Sequence, residues 1–131
     1  MMVALTLAAS EELEAAVNAA VVGCDSYTEG LRLALRAMIP LAARHMFLAT
    51  DAAQNDPRVA EAYARQTEAL SADIEAARAE GTFAQDIPTA WIVEAYENLI
   101  YAGWAMVVAE EATPNQAADL AWRTFTRGLK P

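Results

Sequence analysis

The stretch from Trp91 to Ala109 limits most strongly how this chain can fold. Its only strongly polar residues are Glu94, Glu97 and Asn98. On a helical wheel they lie with Tyr101 within about 100° of each other, which leaves an apolar arc of about 260°. A helix on the side of a bundle needs only about 100° to 140° of apolar surface for its own core. The sequence therefore predicts that this helix is covered on two sides.

Three arrangements could cover such a helix. A membrane span is disfavoured, because two glutamates and an asparagine near the middle of the stretch would cost several kcal/mol in hydrocarbon. A central position within one domain would need more material than four other helices supply. A two-fold homodimer, in which the last two helices of each subunit form a four-helix interface, is the economical solution. The residues predicted to form this interface are Trp91, Leu99, Gly103, Val107, Ala121, Trp122 and Phe125.

Length and composition indicate one all-α domain. The chain has 131 residues, of which 56% are hydrophobic, with only five Gly and five Pro. A chain of this length buries about two thirds of its unfolded surface in a single core. Residues 1–131 are therefore expected to form one helical bundle of about five helices.

Local start and stop signals divide the chain into those helices. Ser10, followed by two glutamates, is expected to start the first helix, and Gly81 is expected to end the third as a left-handed cap. Phe83 is predicted to tuck under the helix ends. The predicted helices cover about residues 11–22 and 27–49, then run from Asp56-Pro57 to Gly81, from Pro88 onward, and from Thr113-Pro114 onward.

Charge and cysteine content exclude several partners. The net charge is −9, and the nine basic residues are scattered without forming a patch, so the surface would repel a phosphate backbone. We expect no nucleic acid to bind this chain alone. Cys24 is the single cysteine and has no partner for a disulfide, which fits a reducing cytoplasm. We also expect no membrane association.

The sequence lacks the combinations of residues that catalysis or metal binding requires. His45 is the only histidine, so the Glu-x-x-His pairs of a di-metal carboxylate bundle cannot form. One histidine and one distant cysteine give no nucleophilic triad, and no Gly-rich phosphate loop is present. The prediction is a non-enzymatic protein without metal or cofactor.

His45 is the polar residue with the strongest claim to a ligand, because it falls on the apolar stripe of the second helix between small residues. It could be the polar handle of an apolar cavity, or it could interact with the carbonyls at the end of its own helix. Other polar or adaptable side chains on helices two to four could converge on the same cavity. The residues predicted to bind a ligand are Met38, His45, Tyr63, Gln66, Tyr96 and Asn98.

The helix order, the hinge Glu80-Gly81-Thr82-Phe83 with Asp86-Ile87-Pro88, and the closing Arg127-Gly128-Leu129 resemble the C-terminal half of TetR-type transcriptional regulators. The resemblance covers about residues 11 to 129. It implies that the last two helices pair with those of a second subunit and that the preceding helices enclose a small hydrophobic effector. The helix-turn-helix segment that reads DNA in this family is absent from the sequence.

In such a regulator, effector binding would tilt helix one and weaken operator affinity by a coupling of about 1 to 3 kcal/mol. An alternative function is a stand-alone helical interaction module, which pairs with itself or with a different protein and binds no DNA.

Overall fold

The chain folds into an all-helical bundle in a computed structural model that describes residues 2–45 and 55–131. Within these residues there are five α-helices: α1 (Met2–Val21), α2 (Tyr27–His45), α3 (Pro57–Ala79), α4 (Thr89–Val108) and α5 (Pro114–Leu129). The predicted all-α class is confirmed. The expected end of the second helix at residue 49 lies outside the described residues.

The predicted start of the first helix at Ser10 is wrong, because α1 begins at Met2. Residues 2–9 are rich in alanine and leucine, which favour helix without any cap. Ser10 lies inside the helix, where its hydroxyl accepts a hydrogen bond of 2.5 Å from Gln66 Nε2 on α3. The hydroxyl thus joins two helices. Gly23, with a φ of +78°, follows the end of α1.

The start signals of α3 and α5 are confirmed in atomic detail. Asp56 accepts a hydrogen bond from the Arg58 amide, with Pro57 in the first turn. Thr113 and Gln116 form both hydrogen bonds of a capping box. These caps satisfy amides that have no partner inside the helix, so both helices start where the sequence places them.

The core lies between α2, α4 and α5, which contact one another, while α1 packs on α2 and α3 contacts α1, α2 and α4. The most deeply buried large side chains come from every part of this arrangement except α1. They are Leu35, Ile39, Ile74, Phe83, Ile92, Tyr96 and Phe125. Phe83 is fully buried, so the prediction that it tucks under the helix ends is confirmed.

The start of α2 is capped from a distant part of the chain. The Ser26 hydroxyl accepts a bond from the Glu29 amide, as a capping box requires, but the Glu29 carboxylate binds Arg32 instead of returning to the cap. Glu80, at the end of α3, accepts hydrogen bonds from the amides of Tyr27 (2.9 Å) and Thr28 (3.1 Å). This carboxylate lies at the positive end of the α2 dipole, so it ties α2 to the α3–α4 hinge.

Replacing Glu80 with glutamine is expected to destabilise the protein more at pH 7 than at pH 3. The Tyr27 amide, with the Thr28 hydroxyl and amide, holds the pKa of Glu80 below its ordinary value of 4.5. A lowered carboxyl pKa stabilises the folded state above the unfolded-state pKa, and this stability is lost as the pH falls through the folded-state pKa. Urea unfolding at both pH values measures the difference.

Glu68→Gln is a matched control, because Glu68 is exposed on the same helix. It should lower the free energy of unfolding little at either pH. A loss for Glu80→Gln that was equal at pH 7 and pH 3 would show that the carboxylate charge does not cap α2.

Candidate dimerisation face and predicted ligand residues

The apolar arc of α4 divides into two surfaces with different surroundings. One surface carries Ile92, Tyr96, Ile100 and Trp104, all buried in the core. The other lies beside α5 and faces away from the core. The prediction that α4 needs more cover than one bundle face is therefore consistent with the packing, which covers the first surface and leaves the second open.

The open surface is a long, shallow apolar groove, here called the outer α4–α5 face. At one end, an open depression of about 380 Å³ is lined by residues including Trp91, Ala95 and Leu99 of α4 and Thr124 and Gly128 of α5. A smaller depression continues along the same two helices. Its lining residues include Leu99, Ala102, Met106, Leu120 and Thr124.

Two large side chains on this face are mostly exposed: Trp91 by 66% and Leu120 by 52%. Burying a side chain of this size contributes about 1.5 to 3 kcal/mol, so an exposed tryptophan and an exposed leucine on one apolar groove favour a covering partner.

The structure places the seven predicted interface residues in different layers. Trp91 and Leu99 line the outer α4–α5 face. Ala121 and Phe125 are buried and form part of its floor. Val107 and Trp122 are partly buried and pack against the core of their own chain.

Gly103 permits a close approach, but the approach is within one chain. A Cβ atom on this residue would lie 2.9 Å from Ile39 Cδ1 of α2 and 3.6 Å from Ala117 Cβ of α5. The missing side chain therefore lets α4 pack against α2 and α5. Gly103 also lines the smaller depression of the outer α4–α5 face, so its place in a dimer interface stays a prediction.

Several lining residues of the outer face are not among the predicted interface residues, including Ala95, Ala102, Met106, Leu120 and Thr124. On α4 the signal was present, since Trp91, Ala95, Leu99, Ala102 and Met106 follow helical spacings of three and four residues.

The predicted ligand residues contact different elements of the fold. The Tyr96 hydroxyl is buried and donates to the Leu31 carbonyl at 2.6 Å, and burial raises the pKa of Tyr96 well above its ordinary value. Gln66 binds Ser10 and Glu14 of α1. Met38 is half-buried against the core. The side chain of His45 lies outside the described residues.

Tyr63 and Asn98 lie on the surface of the domain. The Tyr63 hydroxyl donates to Glu97 Oε2 at 3.1 Å, and burial together with the Glu97 charge raises the pKa of Tyr63 to about 12. The Asn98 amide donates to the Glu94 carbonyl one turn earlier on α4. Each of these polar groups thus has one partner on the protein, and its role in ligand binding stays a prediction.

Trp104 carries a buried polar atom without a partner. The side chain is 7% exposed, and its indole Nε1 has no hydrogen-bond partner. A buried N–H without an acceptor costs about 1 to 3 kcal/mol, so an acceptor that reached it would bind favourably. Nothing in the sequence pattern separates this tryptophan from the other two.

No family model and no curated protein matches the chain. A solved structure of a protein with unknown function from Rhodococcus sp. RHA1 has a similar fold, with a TM-score of 0.81 and 18% sequence identity. The match covers 99% of this chain and 72% of that chain. At this identity the likeness establishes a shared fold and nothing about function.

The part of the chain that the structure describes shows neither a metal-binding cluster nor a membrane-spanning helix. Among residues 2–45 and 55–131 no three His, Cys, Asp or Glu side chains are grouped where they could hold a metal ion. No helix within those ranges combines the length and apolarity needed to span a bilayer.

Proposed function

We propose that this chain is the regulatory domain of a TetR-type transcriptional regulator, which forms a homodimer through the outer α4–α5 face and senses a small hydrophobic molecule. The observation that carries the proposal is this face, an open apolar groove on the last two helices. It is where the resemblance expects a second subunit. In this proposal the chain works in the cytoplasm, binds no nucleic acid alone, and catalyses no reaction.

Two further features support the proposal. The hinge on which the resemblance rests has a left-handed glycine, Gly81, with a φ of +88°, and a buried Phe83. The Ala84 amide donates to the Leu129 carbonyl at 2.9 Å, so the hinge is bonded to the closing residues of α5. The two sequence segments that define the resemblance therefore meet in one place.

Replacing Trp91 or Leu120 with aspartate is expected to convert a dimer into a monomer. A charge placed in a buried apolar interface without a partner of opposite charge is not compensated, so its desolvation opposes association. Gel filtration coupled to light scattering measures the mass. The subunit concentration should be about 10 to 100 µM, because a dimer with a Kd near 1 µM is mostly associated in this range.

Val22→Asp is the matched control, because Val22 is an apolar residue with 81% exposure that lies between α1 and α2. It should leave the mass unchanged. A wild-type chain that remained a monomer across the concentration range would contradict the proposed homodimer and favour a different protein as the partner.

The effector part of the proposal rests on the resemblance, on His45 and on the unpartnered Trp104 N–H. This N–H donates and does not accept, so the proposed effector is an uncharged hydrophobic molecule with an oxygen acceptor. A net charge of −9 further disfavours an anionic ligand.

Nile red, a neutral dye with a carbonyl oxygen, is a suitable probe. We expect saturable binding at one dye per chain, weakened about tenfold by His45→Ala, a change that corresponds to about 1.4 kcal/mol. Trp91→Asp is the control for dye bound to the outer α4–α5 face and should leave this binding unchanged. Binding abolished by Trp91→Asp and insensitive to His45→Ala would contradict the internal site.

A further inference from the structure

The two edges of the outer α4–α5 face carry opposite charges. With 100° per residue, the edge on the α4 side is formed by Glu94 and Asn98, both exposed. The edge on the α5 side is formed by Arg123 and Arg127, also exposed. These two arginines make no ion pair with any residue in the described ranges. An apolar groove thus lies between one acidic and one basic edge.

The charges also lie at the same level along the groove. The larger depression joins Trp91, Ala95 and Asn98 of α4 to Thr124 and Gly128 of α5. Glu94 lies within the first of these segments and Arg127 within the second. Glu94 and Arg127 therefore stand opposite each other across the width of the face, at one height.

A two-fold axis can be placed in such an interface in two main ways. If the axis runs across the helices, α4 meets α4 of the second copy, and α5 meets α5. Helix α4 contains no basic residue, so Glu94 would then have no positive partner. The only acid on α5 is Asp119, which is 3.7 Å from Arg36 of its own chain, so the arginines would lack a free negative partner.

If the axis runs along the helices, each α4 meets α5 of the second copy and heights along the groove are preserved. The acidic edge of one copy then lies on the basic edge of the other. Glu94 faces Arg127, with Arg123 one turn away, and the same contact occurs twice because the interface is symmetric.

We infer that two copies of this chain pair with α4 of each against α5 of the other, so that Glu94 binds Arg127 of the partner subunit at both edges of the outer α4–α5 face. The inference rests on the homodimer proposed above and adds its orientation and its specificity-determining pair. Charges at the edge of an apolar interface fix its register and select against wrong partners.

Charge reversal tests this orientation. Glu94→Arg and Arg127→Glu should each weaken the wild-type homodimer at least about tenfold in Kd, because each places two pairs of like charges at the edges. Mixing the two variants should restore wild-type affinity in a heterodimer, since every edge pair is then again opposite in sign. The double variant E94R/R127E should restore the homodimer.

Glu68→Arg, on exposed α3, is the charge-matched control and should leave the mass unchanged. Circular dichroism verifies that each variant is folded. Gel filtration with light scattering at low salt gives the dimer fractions, and the differences should shrink at high salt.

The failures of the two proposals are distinguishable. If the wild-type chain is a monomer, the homodimer itself is contradicted. If it is a dimer that Trp91→Asp dissociates, but neither charge reversal weakens it or mixing restores nothing, the face is correct and the proposed orientation is overturned.

Discussion

Replacing Phe125 with alanine is expected to lower the free energy of unfolding by about 3 to 5 kcal/mol, the range measured for large aromatic side chains in protein cores. Phe125 is 1% exposed and lies between the rings of Phe83 (5.4 Å), Tyr96 (5.3 Å) and Trp122 (5.7 Å). These rings come from the hinge, α4 and α5. Removing the central ring leaves a cavity that three elements cannot fill together. Urea unfolding followed by circular dichroism measures the loss.

Phe125→Leu is the matched control, because leucine keeps most of the apolar volume and loses the edge-to-face contacts with Phe83 and Tyr96. Its cost should be clearly smaller than that of the alanine variant. All variants must be compared at one protein concentration, since dimerisation stabilises the folded state by mass action. A loss below about 1 kcal/mol for Phe125→Ala would contradict the central position of this ring.

The sequence predicted the helix ends whose capping residues lie close to them along the chain. Asp56, Thr113 with Gln116, and Gly81 all act within a few residues, so their roles follow from the sequence alone. The α2 cap could not be predicted, because Glu80 lies more than fifty residues away from the amides whose hydrogen bonds it accepts. The early start of α1 was missed because Ser10 has the sequence signal of a helix cap. Its hydroxyl instead accepts a hydrogen bond from Gln66 on α3.

Only some residues of the outer α4–α5 face, such as Trp91 and Leu99, were predicted from the sequence. Helical periodicity showed that α4 has two apolar sides, yet it contains no information about which side faces the core. Phe125 and Ala121 were assigned to the interface and are buried within the chain. Leu120 was missed because the sequence does not show that it lies next to Ala102 and Met106 of α4, with which it forms one apolar surface.

A similar limit applies to the ion pairs. Arg32 and Arg78 each have a glutamate partner three residues earlier on the same helix, a spacing that is visible in the sequence. Helical spacing would also allow Arg65 to pair with Glu61, four residues earlier, but its Nη2 lies 3.3 Å from Glu14 of α1. Spacing along one helix predicts which pairs are possible, and the packing of another helix decides which of them forms.

Arg78 holds the α3–α4 hinge in a way that its ion pair with Glu75 does not reveal. Its Nη1 donates to the carbonyls of Ala84 (3.3 Å) and Gln85 (3.2 Å). Its Nη2 donates to the Ile87 carbonyl (2.6 Å) and to Thr89 Oγ1 (3.0 Å). The planar guanidinium thus satisfies four acceptors that follow the end of α3, and its side chain is only 13% exposed.

We therefore expect Arg78→Met to lower the free energy of unfolding by about 2 to 4 kcal/mol, because methionine keeps the apolar stem and leaves partly buried carbonyls without donors. Arg78→Lys should lose most of the same amount, since one ammonium cannot reach four acceptors in a fork. Arg65→Met is the control, because the Arg65 side chain is 63% exposed and pairs with Glu14 at the surface. It should lower the free energy of unfolding by less than about 1 kcal/mol.

Amide hydrogen exchange distinguishes this role of Arg78 from a general loss of stability. Because Ala84 is bonded to Leu129, a hinge released by Arg78→Met should expose the amides of residues 84–89 and the last turn of α5 before those of α2. Uniform acceleration across all helices would instead mean that Arg78 contributes through burial alone. The first pattern would establish that one side chain holds together the two segments on which the family resemblance depends.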